Sequence, residues 1–145
     1  MQVAVRGIIP LRGKILLCQN SRNIENFWCL PGGGVENGET LPDGLFREIK
    51  EEFNVKAKIG ELLVIRELID ENTHGIEFYF HVTNGMDFQQ MNVKLASHGH
   101  EISAYNFFNI GDLHDIDIRP NILKTLIPEF LIKDFVVPMR YVGKV

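Results

Sequence analysis

Apolar residues run nearly unbroken from Val3 to Ile9, a pattern that predicts a strand. A polar break at Arg12-Gly13-Lys14 separates it from a second run, Ile15 to Cys18, so the two together predict a β-hairpin. Gln19 to Asn26 is polar and reads as a loop. Phe27 to Leu30 is a short apolar strand leading into Pro31-Gly32-Gly33-Gly34, with Trp28 read as core packing rather than a base-stacking platform. The period then lengthens. Leu41, Leu45, Phe46, Ile49 and Phe53 recur at helical spacing and predict a helix with one buried stripe. Thr40 suits its N-cap, Pro42 fits the first turn, and Asp43 sits near the positive helix end.

Beyond the helix, Lys56 to Asp70 is rich in Ile, Leu and Val. Ile76, Phe78, Phe80 and Val82 alternate with Glu77, Tyr79 and His81, which predicts a strand with an apolar and a polar face. Glu71 to Gly75 is a turn between them, giving a long hairpin. Residues 84–101 show no period and are too long for an ordinary connection. Tyr105 to Phe108 reads as a strand, Gly111-Asp112-Leu113 as a short turn, and Arg119 to Phe130 as a helix that Pro128 kinks or breaks. Phe135 to Val142 is extended and apolar, suited to an edge strand or a contact with a second copy in a homodimer. Strands, helix, strands, helix argues an α/β fold with a mixed sheet between helices.

Three polar features depart from this patterning. Arg6 shares its strand face with Ala4 and Ile8, so its head lies either in water at a sheet edge or in a pocket that holds an anion. Arg66 interrupts the next long strand; it is a candidate substrate contact, with a solvated face the favoured reading. Glu48 and Glu52 stand four residues apart on the predicted helix, with Glu51 beside them. Like charges at that spacing cost roughly 0.2–0.5 kcal/mol per pair. Most such faces are simply solvated. A divalent cation held by oxygen ligands would offset the cost.

Composition narrows the function. The 145 residues are 45% hydrophobic and 23% charged, within the range of a globular chain with one core. A net charge of −4 without a basic stripe argues against nucleic acid as the main partner. No apolar run spans a membrane, and Arg6 interrupts the one stretch that could begin a signal peptide, so a cytoplasmic protein is expected. Cys18 and Cys29 read as buried free thiols, which suits a reducing compartment; a bridge between them stays open, and zinc spacing is absent.

Gly33, Glu39, Arg47-Glu48-Ile49, Glu51-Glu52 and Val55 are spaced as Gly-x5-Glu-x7-Arg-Glu-U-x-Glu-Glu-x-Gly-U, with U a bulky aliphatic. This resembles the signature of the Nudix hydrolases, with Asn54 in place of the last Gly. Asn tolerates the left-handed conformation that often ends a helix, so the replacement keeps the helix end in place. The resemblance implies a Nudix α/β/α sandwich, residues 1–145 being one domain. It implies Mg²⁺- or Mn²⁺-dependent hydrolysis of a diphosphate bond in a nucleoside diphosphate linked to another group, such as a nucleoside triphosphate or nucleotide sugar. The implied metal ligands are the Gly32 carbonyl, Glu48, Glu51 and Glu52. Glu51 is a ligand or the base, Glu52 belongs to the catalytic set, and Glu101 matches by order a carboxylate that binds metal or acts as base. Family members often carry an Arg where Arg6 stands, and some carry a Lys at the place of Gly34. Arg47 and Glu39 are implied to tie the loop to the helix. Two other classes remain. One is a non-catalytic Nudix domain that senses a nucleotide, hinted at by Asn54 and Gly34 and opposed by the intact glutamates. The other is an isoprenoid diphosphate isomerase, whose further catalytic residues are not located.

Overall fold

The computed structural model describes residues 1–143. Two sheets lie between two helices. β1 (Gln2–Ile8), β4 (Gly32–Gly34), β5 (Ile59–Ile69), β6 (His74–Val82) and β8 (Arg140–Gly143) form a mixed sheet ordered β4-β1-β6-β5-β8. β2 (Pro10–Leu11), β3 (Lys14–Asn20) and β7 (Ile102–Asn109) form an antiparallel sheet ordered β2-β3-β7. The helices are α1 (Leu41–Phe53) and α2 (Leu123–Ile132).

Strand alternation builds two apolar layers. Ile15 and Leu17 point toward Leu123, Leu126, Ile127 and Phe130 of α2. Leu16 and Cys18 point the other way, toward Leu45, Ile49 and Phe53 of α1. Each buried Leu or Ile contributes about 1.5–3 kcal/mol by leaving water. The strands are therefore covered on both faces, the α/β/α arrangement that the order of elements predicts.

Several boundaries differ from the sequence pattern. The hairpin across Arg12-Gly13 is shorter than the pattern suggests: it joins Pro10-Leu11 to the start of the next strand and reaches back only as far as the Ile9 carbonyl, which accepts from the Leu16 N–H (3.1 Å). β1 lies between β4 and β6, parallel to the latter, and β3 turns back on the short β2 instead. Apolar periodicity marks both runs as strands but says nothing about which sheet each joins. Phe27 to Leu30 forms only single bridges, Cys18 to Cys29 and Trp28 to Ile118, and Trp28 packs edge-on to Phe108 in the core. Residues 119–122 precede α2 as a bend and a turn: the Arg119 N–H donates to the Trp28 carbonyl (2.9 Å), and the Leu123 N–H donates to the Pro120 carbonyl (3.1 Å). Pro128 lies inside α2 without ending it. Leu126, Ile127 and Phe130 are buried around it, and their packing outweighs the lost helical hydrogen bond. Residues 84–101 are tied-down short 3₁₀ turns. Phe88 is fully buried, and the His98 N–H bonds the Glu51 carbonyl at the end of α1 (2.7 Å). The apolar tail supplies β8, an edge strand parallel to β5.

α1 itself follows its sequence signals. The Thr40 hydroxyl accepts from the Asp43 N–H at 3.2 Å, and Asn54 closes the helix in the left-handed conformation (φ 58°, ψ 36°). Lys50 Nζ also donates to the Asn54 side chain at 2.9 Å. A β-branched residue at this φ costs more than Gly or Asn, so Asn54→Val is expected to destabilise the fold by about 1–2 kcal/mol. Asn54→Gly is expected to be close to neutral. Urea unfolding of both variants at equal m-value checks this.

Candidate active site

The site begins where backbone must approach backbone. β4 pairs antiparallel with β1, setting Gly32 opposite Arg6 and Gly33 opposite Val5. A Cβ on Gly32, whose φ is 145°, would fall 2.0 Å from the Val5 carbonyl oxygen. A Cβ on Gly33 would fall 2.5 Å from the Glu48 carboxyl carbon. At Gly32, whose φ is positive and whose neighbour is backbone, only glycine fits; at Gly33 a side chain would displace the Glu48 carboxylate from the strand.

Arg47 holds this junction together. Its guanidinium donates to both Glu39 oxygens (3.0 and 2.7 Å), to the Gly34 carbonyl (2.9 Å), to Glu48 (3.0 Å) and to Glu51 (3.3 Å). Glu39 in turn accepts from the Glu36 N–H at 2.7 Å. Those bonds, chiefly from Arg47, hold the Glu39 carboxyl down to about 2. Loop and helix are thereby clamped through one planar cation.

Glu52 lies deeper and is 2% exposed. Burial first, then the charges of Glu48 and Glu101, push its carboxyl up to about 8, with Arg6 opposing. Glu101 stands at the end of a 3₁₀ turn that packs on α1. Glu51 is shared between Arg47 and His98, whose Nδ1 lies 3.0 Å away. Nothing in the aperiodic stretch 84–101 marks His98 for this contact. Among the described residues no three His, Cys, Asp or Glu side chains form a closed cation cage, since Arg47 engages Glu48 and Glu51. The donor set nonetheless fits Mg²⁺ or Mn²⁺. It offers hard carboxylate oxygens beside a glycine backbone, and a buried carboxylate whose charge is resisted by its neighbours.

A cavity of about 770 Å³ opens beside the glycine strand, within the range of small-ligand sites. Gly32 to Gly34 form one wall, and Arg6, Arg66, Glu77 and Tyr79 lie across adjacent strands of the sheet. Arg6 is not at a sheet edge. Its Nε donates to Glu77 at 3.2 Å and its Nη1 to the Leu30 carbonyl at 3.3 Å. Arg66 is not solvated either: it is 8% exposed and bonds Glu77 from the opposite side. Tyr79 adds a third bond to Glu77 at 3.1 Å. Burial works against the Glu77 charge, but Arg6, Arg66 and Tyr79 together hold its carboxyl below the usual range. Two guanidiniums around one carboxylate leave this floor with a net positive charge. At the far wall, the Arg119 guanidinium lies over the Phe27 ring, 4.5 Å from its centre.

Sequence reasoning missed Glu77 and Tyr79. Their alternation with Ile76, Phe78 and Phe80 suggested an outer, solvated face. In a strand covered on both sides the second face is buried too, and a lone Glu there needs cationic partners. Two arginines interrupting apolar strands, which the fold sets on either side of β6, were the available signal.

A family model described as NUDIX domain matches residues 1–130. Over 74 residues the chain is 42% identical to an ADP-ribose pyrophosphatase of Methanocaldococcus jannaschii, covering 50% of this chain and 44% of that protein. Over 51 residues it is 42% identical to an RNA pyrophosphohydrolase of Campylobacter jejuni, covering 35% and 32%. The chain thus spans less than half the length of these curated relatives. Among solved structures, a NUDIX hydrolase from Nitrosomonas europaea superposes with a TM-score of 0.72 at 24% identity, covering 99% of this chain and 78% of that one. That likeness concerns the fold. Since the family match extends from β1 through most of α2 and takes in the glycine strand, the Arg47 clamp and the buried Glu52, the chain belongs to the NUDIX family.

Proposed function

We propose that this protein hydrolyses the diphosphate bond of a nucleoside diphosphate linked to another group, with Mg²⁺ or Mn²⁺ as cofactor. The observation that carries the reading is the glycine strand: acidic residues of α1 lie against it, and a cavity with a cationic floor opens beside it. Glu48, Glu51, Glu52 and the Gly32 carbonyl would hold the cation. When bound, the cation neutralises phosphate charge and lowers the pKa of water. The chain's own residues bind and orient. Arg6 and Arg66 give the cavity floor the positive charge that a diphosphate needs, and Glu77 fixes both guanidiniums in place. Phe27 with Arg119 offers a flat wall for a planar group. Glu101, close enough for its charge to raise the Glu52 carboxyl, is the candidate for taking a proton from the attacking water. The relatives' names span ADP-ribose and RNA, so the leaving group is a matter for a substrate panel.

Glu52→Gln is expected to abolish hydrolysis of whichever nucleotide the panel identifies, while the domain stays folded. The same variant tests the electrostatics in chelator. The folded-state value of Glu52, about 8, lies above its ordinary value of 4.5, so the fold favours the neutral acid. The penalty is absent below about pH 4.5, grows as pH rises toward 8, and is then constant, on the order of a few kcal/mol. Metal-free wild type should therefore lose stability across that window, and Glu52→Gln should lose less. Parallel pH curves for the two proteins would contradict the assignment.

Millimolar Mg²⁺ or Mn²⁺ is expected to raise the melting temperature, since a cation bound only by the folded cluster stabilises by mass action. The rise should vanish in Glu52→Gln.

Arg6→Lys keeps the charge but loses the planar fork. It is expected to lower kcat/KM by roughly 1.5–3 kcal/mol. Arg66→Lys should lower it as well, and should also lower the melting temperature, because Arg66 is the more buried of the two. Unchanged kinetics in both variants would remove the cationic floor from substrate binding.

A further inference from the structure

Cys18 and Cys29 are eleven residues apart in sequence and opposite each other in the fold. They exchange both backbone hydrogen bonds, Cys18 N–H to Cys29 O and Cys29 N–H to Cys18 O, each at 2.9 Å. Directly opposed residues of an antiparallel pair project to the same face, and a pair bonded in this way has its Cα atoms about 5.5 Å apart. That separation lies inside the roughly 4.4–6.8 Å that a disulfide spans. The side chains also meet. The Cys29 thiol donates to the Cys18 carbonyl at 3.5 Å, and both residues pack in the layer beneath α1.

Their surroundings divide the roles. Cys18 is 2% exposed, whereas Cys29 is half-buried and lines the cavity beside Arg6. The hydrogen bond from Cys18 draws the Cys29 thiol down to about 7, against burial and with help from the Arg6 charge. The Cys18 thiol is pushed up by the same hydrogen bond and by burial. A partly accessible thiol beside a cation is the one that reacts, and the buried one can only follow.

We infer that Cys29 is a site of reversible oxidation by hydroperoxides, with Cys18 as the resolving thiol that converts it to an intramolecular disulfide in the cavity wall. The Cys29 thiolate attacks one oxygen of the hydroperoxide. The O–O bond breaks, the sulfur is oxidised to a sulfenic acid, and the peroxide's other oxygen leaves as an alcohol or water after taking a proton. The Cys18 sulfur then attacks the Cys29 sulfur, the S–O bond breaks, and water leaves with the Cys18 proton. In sum, two thiols and one hydroperoxide give one disulfide, one alcohol or water, and one further water. The inference concerns these two thiols and does not depend on which substrate the cavity takes.

Intact-mass and peptide mass spectrometry of the folded protein, titrated with hydrogen peroxide and quenched by thiol alkylation, tests it. The expected product is monomeric, lighter by two hydrogens, protected from alkylation at both cysteines, and returned to two alkylatable thiols by dithiothreitol. Cys18→Ala should instead accumulate a sulfenic acid at Cys29, trapped by a dimedone-type probe. Cys29→Ser should give neither product, with circular dichroism checking that each variant is folded. A wild-type protein that keeps two free thiols at peroxide concentrations that oxidise a small dithiol would overturn the inference. So would a sulfenic acid trapped at Cys18 in the Cys29→Ser variant.

Discussion

The absence of side chains at Gly32 and Gly33 is the constraint on which the structure turns. A single methyl group at either position would collide with the Val5 carbonyl or the Glu48 carboxyl. Separating β4 from β1 to make room would pull the cavity wall away from its cationic floor. Separating it from α1 would take the acidic face out of reach. Without side chains, the glycine strand lets an acidic helix face and a basic cavity floor both approach it closely. That juxtaposition is what a reaction at a phosphate group requires.

Opposite charges are also how the fold tolerates its own site. Four glutamates, at 36, 39, 48 and 51, lie within 4.0 Å of Arg47. Glu77 does the complementary service for two arginines. Around Glu77 the ions are buried enough that removing one partner would leave a poorly solvated charge, a larger cost than the pair itself returns. Glu52 alone among these carboxylates is held by burial against its charge rather than by a cation.

The acidic helix and glycine loop were legible because their determinants are local. Cap, stripe and carboxylates lie within one 23-residue stretch, and periodicity with the αL tolerance of Asn54 suffices to place them. The layered α/β class followed from the order of elements. What periodicity cannot carry is partnership between distant strands. Nothing in Val3 to Ile9 says that it pairs with His74 to Val82 rather than with the nearer Ile15 to Cys18. The misreading of Arg66 as solvated has the same root. Its partner Glu77 is eleven residues away across a hairpin, and only the register that sets the two opposite each other reveals a buried ion pair.

The parallel pairing of β1 with β6 also shapes how the chain reaches this fold. Gln2 is registered with Gly75 and Ile8 with His81. A ribosome adding about 5–20 residues per second makes β1 several seconds before β6 exists. During that interval the three residues of β4 are the only in-sheet partner available to β1, and its apolar side chains have no finished layer to enter. Non-local pairings of this kind are formed slowly. The strand that carries Arg6 into the middle of the sheet is thus exposed to chance strand pairing between neighbouring nascent chains, and shielding by a chaperone during synthesis would matter more for this chain than for one whose central strand is made late.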